Sequence, residues 1–294
     1  MNKFDRRYVL TATGKDGNAV TIRLPFTIEF DIVRNYLPSA NTVTLRIYNL
    51  NERTRENLSK DVWTTMESRR VILKAGYGAG PSYPEVFSGY MSRCFSVREG
   101  VNFITQIEAF DGGPGYVNGQ VGTQFEAETP LRDILVYLIK SLQAQGISQG
   151  AVGSYEGAAK RGTGYSGTMA SVINGISGNG FFIDNNKANV LKDNEYIMRS
   201  DGQVLRINAQ TGLLNTPVRE VTLMYFDILF EPELFIGQKV KIETETGLKV
   251  YNGEFVVKSI HHKGTISPVV CGSATTTVSV LFGTKELVPV RPAS

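Results

Sequence analysis

The chain has 294 residues, with 31 basic and 28 acidic side chains and a net charge of +3. At about twice the usual domain length, two or three domains are expected, and 41% apolar against 20% charged residues is ample for a core. By thirds, residues 1–113 carry +3, 114–204 carry −1 and 205–294 carry +1, so no segment offers the concentrated basic face that phosphate binding needs.

The two cysteines, Cys94 and Cys271, are too few for a disulfide framework and are expected to be reduced and buried. The opening MNKFDRRYVL is too polar for a signal peptide. No run approaches the roughly 20 apolar residues of a membrane helix. A soluble protein made in a cytoplasm, without stable membrane insertion, is expected.

In chain order, Tyr8, Leu10 and Ala12 begin an alternating run, Gly14–Asn18 (GKDGN) turns, and Val20, Ile22 and Leu24 resume it, a hairpin by period and turn chemistry. Phe26, Ile28, Phe30 and Ile32 alternate with Thr27, Glu29 and Asp31, and Thr42–Asn49 (TVTLRIYN) alternates again, so two half-buried strands follow. Asn51 is a good N-cap for a short helix over Glu52–Leu58 (ERTRENL), whose polar surface faces a partner or packs weakly. Strands resume at Arg70–Ala75, Val86–Tyr90, Arg93–Val97 and Phe103–Phe110, around the loop Gly76–Pro84.

Asp111–Gly122 (DGGPGYVNGQVG) reads as a boundary. Beyond it, Thr129 as cap, Pro130 in the first turn and an apolar stripe of Leu131, Ile134, Leu135, Leu138, Ile139 and Leu142 predict a helix ended by Gly146. A polar stretch, Ser148–Gly164, leads to a second helix carrying Met169, Val172, Ile173 and Ile176. Phe181–Ile183, the turn Asp184–Lys187 (DNNK) and Asn189–Leu191 read as a tight hairpin. The last third returns to strands at Val218–Tyr225, Gln238–Glu243, Gly253–His261 and Thr275–Phe282, with Pro232 interrupting the pairing between the first two. The tail Val288–Ser294 is expected to be mobile. The fold expected is mainly β, two antiparallel β-barrels (1–113 and 205–294) flanking a small α/β domain (114–204).

Chemistry is sparse. The only histidines, His261 and His262, are neighbours at a strand end and point to opposite faces, so they do not share a metal. The carboxylate pairs Glu126/Glu128, Glu231/Glu233 and Glu243/Glu245 have a spacing that a glycosidase could use, but solvated strand faces give it as readily. The glycines at 76, 78 and 80 and at 112, 113 and 115 lack dinucleotide spacing, and Ser166 lacks the strand and histidine that a nucleophile elbow requires. No catalytic residue, cofactor site or metal site is expected.

The order of several segments resembles the baseplate hub proteins of contractile-tailed bacteriophages. They are Phe26–Ile32 (FTIEFDI), Asn41–Leu50 (NTVTLRIYNL) running into Asn51–Leu58 (NERTRENL), Val71–Gly78 (VILKAGYG) and Glu85–Tyr90 (EVFSGY). Thr129–Leu142, Gly167–Asn174 (GTMASVIN) and Gly180–Leu191 (GFFIDNNKANVL) are similar to the helix, helix, hairpin piece of many hubs. Glu233–Val240 (ELFIGQKV) and Gly253–His261 (GEFVVKSIH) match the third part, while Lys263–Pro268 (KGTISP) replaces a Gly-Asp and later Trp of many relatives. The resemblance implies tail-tube-like barrels and a homotrimer in the virion baseplate, joining the tail-tube protein to the central spike beside other baseplate proteins. DNA would be only a transient passenger in the lumen. Arg53, Arg55 and Asn57 on the polar helix, with Tyr77 and Tyr83 on the Gly76–Pro84 loop, are then the candidate intersubunit contacts. The alternatives are another tail-tube or injection-machine component, a tail-tip cell-wall hydrolase, or a receptor-binding β protein using Tyr83, Tyr90, Tyr116, Tyr155 and Tyr165.

Overall fold

Alternating burial along the strands sorts side chains to two faces of one sheet. The computed structural model describes residues 3–36, 40–62, 67–112, 119–245, 249–270, 272–283 and 286–292, so Cys271, Tyr116 and half of the Asp111–Gly122 boundary fall outside the described residues. The first third forms β1 (Arg6–Thr13), β2 (Ala19–Arg23), β3 (Ile28–Asn35), β4 (Thr42–Tyr48), α1 (Glu52–Leu58), β5 (Arg70–Tyr77), β6 (Glu85–Glu99) and β7 (Asn102–Phe110). Then come β8 (Gln120–Phe125), α2 (Leu131–Ser141), β9 (Ser148–Val152), β10 (Thr163–Thr168), α3 (Met169–Ser177), β11 (Phe181–Asp184), β12 (Lys187–Val190) and β13 (Glu195–Ile197). The last third supplies β14 (Leu205–Ile207), β15 (Val218–Glu220), β16 (Leu223–Leu229), β17 (Lys239–Ile242), β18 (Gly253–Ile266), β19 (Ala274–Leu281) and β20 (Val288–Val290).

The protein is mainly β. One large sheet runs β15-β16-β19-β18-β3-β4-β7-β6-β5-β1-β2, with β17 and β14 attached through β18. The first and last thirds share it because β3 and β18 pair over eight residues, Ser259 facing Asn35 and Ile266 facing Ile28. Hydrogen bonding among the described residues does not close this sheet on itself; it ends in β2 and β15.

Three apolar clusters follow from the pattern. Leu10, Phe30, Leu45, Leu73 and Phe87 belong to one, Phe226, Ile236, Val257 and Val278 to the next, and Ile134, Leu138, Ile173 and Phe181 to the third. A polar seam with Arg34, His262 and Thr276 interrupts the core-facing side of β3, β18 and β19. The β11–β12 turn is held in place by Asn185 and Asn186, both left-handed at φ 51° and 57°, the type I′ geometry of a tight hairpin. Asn185 bonds Ser88 N and Glu85 O, while Asn186 N–H donates to Asp111 and its amide to Ser88 Oγ.

Several details differ from the sequence expectations. Arg93–Val97 and Val86–Tyr90 are one strand, β6, with a register shift between Met91 and Arg93 that lets it pair with β5 on one side and β7 on the other. The polar stretch Ser148–Gly164 contains β9, parallel to β12, and the start of β10, antiparallel to β8. The long apolar helix starts at Leu131, with Pro130 rather than Thr129 in the N-cap position; the Thr129 hydroxyl donates to Glu126 O instead. The tail expected to be mobile places Val288–Val290 as β20 beside β13, with Val290 buried in the second cluster. His261 and His262 lie inside a central strand, not at its end.

Candidate functional site

The side of the large sheet turned away from its core is largely polar and runs across both thirds, with Val33, Ile104, Leu223 and Leu281 also on it. Strand parity puts Glu29, Asp31 and Val33 of β3, Thr42, Thr44, Arg46 and Tyr48 of β4, and Gln106 and Glu108 of β7 on this side. Register carries it into the last third: Lys263 faces Asp31, Thr265 faces Glu29, Thr277 faces His261 and Asp227 faces Thr277. The row Thr275, Lys263, Asp31, Thr44, Glu108 and Arg93 crosses from β19 to β6.

These groups are cross-linked. The Tyr48 hydroxyl donates to Glu29 at 2.7 Å, and Arg46 bridges Glu29 at 3.5 Å and Glu99 at 2.8 Å. His261 Nε2 lies 2.8 Å and Lys263 Nζ 3.4 Å from the two oxygens of Asp31. Thr277 and Asn215 donate to Asp227 at 2.5 and 2.7 Å, and Gln106 donates to Glu108 at 2.8 Å. Burial, then the bond to Glu29, pushes the Tyr48 phenol up to about 12, so it stays protonated and donating. The face alternates carboxylates, hydroxyls and a few cations; it lacks the unbroken basic stripe that holds a phosphate backbone. His262, on the other side of the same strand, is fully buried with Nδ1 2.8 Å from Thr276 Oγ1, and desolvation, then Arg34, holds its pKa well below 6.5.

The five residues singled out from sequence fall in two places. Arg53 is exposed on α1. Arg55 lays its guanidinium 4.0 Å over the Phe103 ring. Asn57 accepts from Lys15 N through its carbonyl and from Asp16 N through its side chain, tying α1 to the β1–β2 turn. Tyr77 donates to Phe230 O at 2.6 Å, and Tyr83 donates to Gly78 O at 3.0 Å with its ring against Gly76. Arg6, at the start of β1, faces Tyr77, whereas Thr13 at its end leads into the turn that Asn57 holds, so the tyrosines and α1 lie at opposite ends of that strand.

The glutamate pairs do not converge on a shared site: Glu231 pairs with Lys3, Glu233 with Arg199, and Glu243 with Lys241. Among the described residues no group of three or more His, Cys, Asp or Glu could hold a metal ion, and no helix is long and apolar enough to cross a membrane. Cys94 is free and buried, and burial pushes its thiol up to about 12.

The family described as Baseplate hub gp41 matches residues 8–265. No curated protein matches the chain. Among solved structures, the 43 kDa tail protein of prophage MuSo2 from Shewanella oneidensis superposes with a TM-score of 0.59 at 11% identity, covering 95% of this chain and 97% of that one. A tail protein from Neisseria meningitidis MC58 gives 0.53 at 10% identity, covering 93% and 96%. The E. coli c3393 protein, a type VI secretion component with structural similarity to the T4 tail proteins gp27 and gp5, gives 0.52 at 9% identity, covering 88% and 74%. At these identities the likeness is one of fold.

Proposed function

The chain belongs to the baseplate hub gp41 family, and from that premise we propose that three copies close a ring joining the tail tube of a contractile phage tail to its central spike. Its role is structural, in the tail baseplate, and it is not an enzyme. In the ring each subunit contributes two tube-like barrel units, residues 1–113 and 205–294, with 114–204 as the α/β unit between them. Three subunits then present six barrel units to a sixfold tube. The spike protein, the tube protein and other baseplate proteins are its partners, and the virion is its site of action after synthesis in the host cytoplasm.

The observation that carries this reading is the unbroken antiparallel run from β15 to β6, with one apolar and one polar face. A sheet that spans both halves of a subunit can curve into the wall of a channel. Its polar face, with Glu29, Asp31, Glu108 and Asp227 among hydroxyls, suits a lumen through which a polyanion passes without being held. Arg53, Arg55, Asn57, Tyr77 and Tyr83 are proposed for contacts between subunits, with Arg53 the most available of them.

Light scattering across a concentration series tests the ring. A mass of about three subunits, with a hollow ring in negative-stain images, is the expected result; a monomer at every concentration overturns self-closure.

A further inference from the structure

The hairpin of β6 and β7, at one flank of the antiparallel run, projects a valine into solvent. Glu99 faces Asn102 across a two-residue turn, in which Gly100 holds φ +61°, the first position of a type II′ turn. Val101 stands at the tip and is 89% exposed, with Val97 and Phe103 partly exposed beside it. Arg98 faces Phe103 across the hairpin. It donates Nε to Gly100 O at 3.1 Å and has no carboxylate partner among the described residues.

The opposite flank of the run holds a recess. Residues 213–217 lead into β15 along the same side of β16, with Leu213 facing Ile228 and Leu214 N bonding Asp227 O. Between this edge and the end of β17 lies a cleft of about 420 Å³, with Leu213, Leu214, Pro217, Glu243 and Glu245 in its lining. The lining carries two carboxylates and no cation. Glu243 pairs with Lys241, whereas Glu245 is exposed and has no partner among the described residues.

We propose that the β6–β7 tip of one copy seats in this cleft of the next, Val101 against Leu214 and Arg98 reaching Glu245. The inference rests on the ring reading and assigns the contact by which that ring closes. The contact is one of side chains. It covers an exposed valine and an exposed leucine together and gives an unpaired arginine an unpaired carboxylate.

The topology places the two surfaces where a ring needs them. Cyclic rings join unlike surfaces head to tail, which opposite flanks of one sheet supply. The stagger also fits. Followed along the registers, Val97 lies level with Thr27 through Ile104 and Tyr48, and the tip lies about three residues further down. Leu214 lies level with Val33 through Asp227, Thr277 and His261. That rise is about nine residues across about eight strand spacings, a tilt of about 39°, within the range of closed barrels. Its hand follows from one bond. Tyr36 N–H bonds Lys258 O, so with β3 upright and its core side chains toward the viewer β18 stands to its right. The rise from the tip to Leu214 is then to the right, as right-twisted strands require.

Sedimentation velocity on the full chain tests the contact, since Val101, Arg98 and Glu245 are all exposed and can be replaced without touching a core. Val101→Asp, Arg98→Glu and Glu245→Arg are each expected to weaken trimer association about tenfold or more, and Arg98→Glu with Glu245→Arg to recover it to within about threefold of wild type. A wild-type trimer that Val101→Asp does not weaken, or a double charge variant no tighter than its singles, overturns this docking and leaves the ring reading standing. A wild-type protein that stays monomeric overturns both. As a second readout, Val101→Cys and Leu214→Cys in one chain, with Cys271→Ser, are expected to give covalent dimers and trimers on oxidation, whereas either cysteine alone is not. Dimers from Val101→Cys alone would put like tips together and overturn the assignment.

Discussion

Arg34 and Asp184 form a buried bidentate pair, Nε to Oδ1 at 2.8 Å and one terminal nitrogen to Oδ2 at 2.6 Å. Arg34 lies in the shared sheet and Asp184 in the turn of the β11–β12 hairpin. The other guanidinium nitrogen donates to Leu234 O and Val86 O, and Asp184 also accepts from Ile236 N. One side chain thus binds the first third, the middle and the last third of the chain. A buried charge left without its partner costs about 3–5 kcal/mol. Arg34→Met is therefore expected to destabilise the protein by about that amount in urea unfolding, and to open the middle segment to proteolysis. Arg34→Met with Asp184→Leu removes both charges and is expected to recover part of the loss; equal losses would mean that the pair is not what holds the segments together.

This joint was not legible in the sequence, and the reason is physical. Arg34 sits at a core position of an alternating strand where a valine would have read as ordinary, and nothing local names a partner 150 residues away. What was legible was local: the Asn51 cap, which accepts from Thr54 N at 2.8 Å, the Asn-Asn turn at 185–186, and the left-handed Gly146 that closes the turn after α2. The polar face was half legible. Alternation named Glu29, Asp31 and Thr44 as one side of their strands, but the pairing of β3 with β18, which extends that side through Lys263 and Thr277, depends on long-range register. The weak strands β8, β9, β10 and β13 escaped notice because Gly, Ser and Gln carry little periodic signal and their order comes from packing on α2 and α3 or from pairing with a distant strand.

Asp111 gives the joint a pH dependence. Its carboxylate is buried beside Asp184, and desolvation, then that neighbouring charge, raises its pKa to about 7 despite bonds from Asn186 N, Asn41 and Gly112 N. A folded pKa above the unfolded value means that this group's contribution is fully present below about pH 4 and is lost as pH rises through about 7. The stability of wild type minus that of Asp111→Asn is expected to fall by up to about 1.4 kcal/mol per pH unit across that window. His262 acts in the opposite sense: its depressed folded pKa costs stability as pH falls below about 6.5, and this term persists in Asp111→Asn. Urea unfolding of both proteins from pH 4.5 to 8 separates the two; a flat difference would mean that Asp111 stays ionised throughout.

The polar helix allows a cleaner test of assembly at Arg53 than at Arg55. Arg53 is exposed, so Arg53→Glu is expected to leave unfolding within about 0.5 kcal/mol of wild type while weakening trimerisation. Arg55 stacks on Phe103, so Arg55→Glu is expected to lose about 1 kcal/mol of folding stability as well. Sedimentation velocity beside urea unfolding reads the two effects apart. An unchanged trimer in Arg53→Glu would remove α1 from the interface.

The channel face makes a prediction about DNA. With carboxylates at Glu29, Asp31, Glu108 and Asp227 and only scattered cations, the wild-type ring is expected to bind duplex DNA no more tightly than about 10⁻⁴ M at physiological salt, the weak end of non-specific binding. Changing Glu29, Asp31, Thr44 and Glu108 to lysine lays four cations across neighbouring strands on one side of the sheet. If that side lines the lumen, a short duplex threaded through it would meet twelve added cations from three subunits, and affinity should rise steeply and fall again with salt. Titration by fluorescence anisotropy at several salt concentrations reads both the affinity and the slope. A quadruple variant that still trimerises yet gains only the shallow salt slope of a few phosphate contacts would place these side chains on the outside of the ring, and the curvature of the sheet would then have to be the reverse.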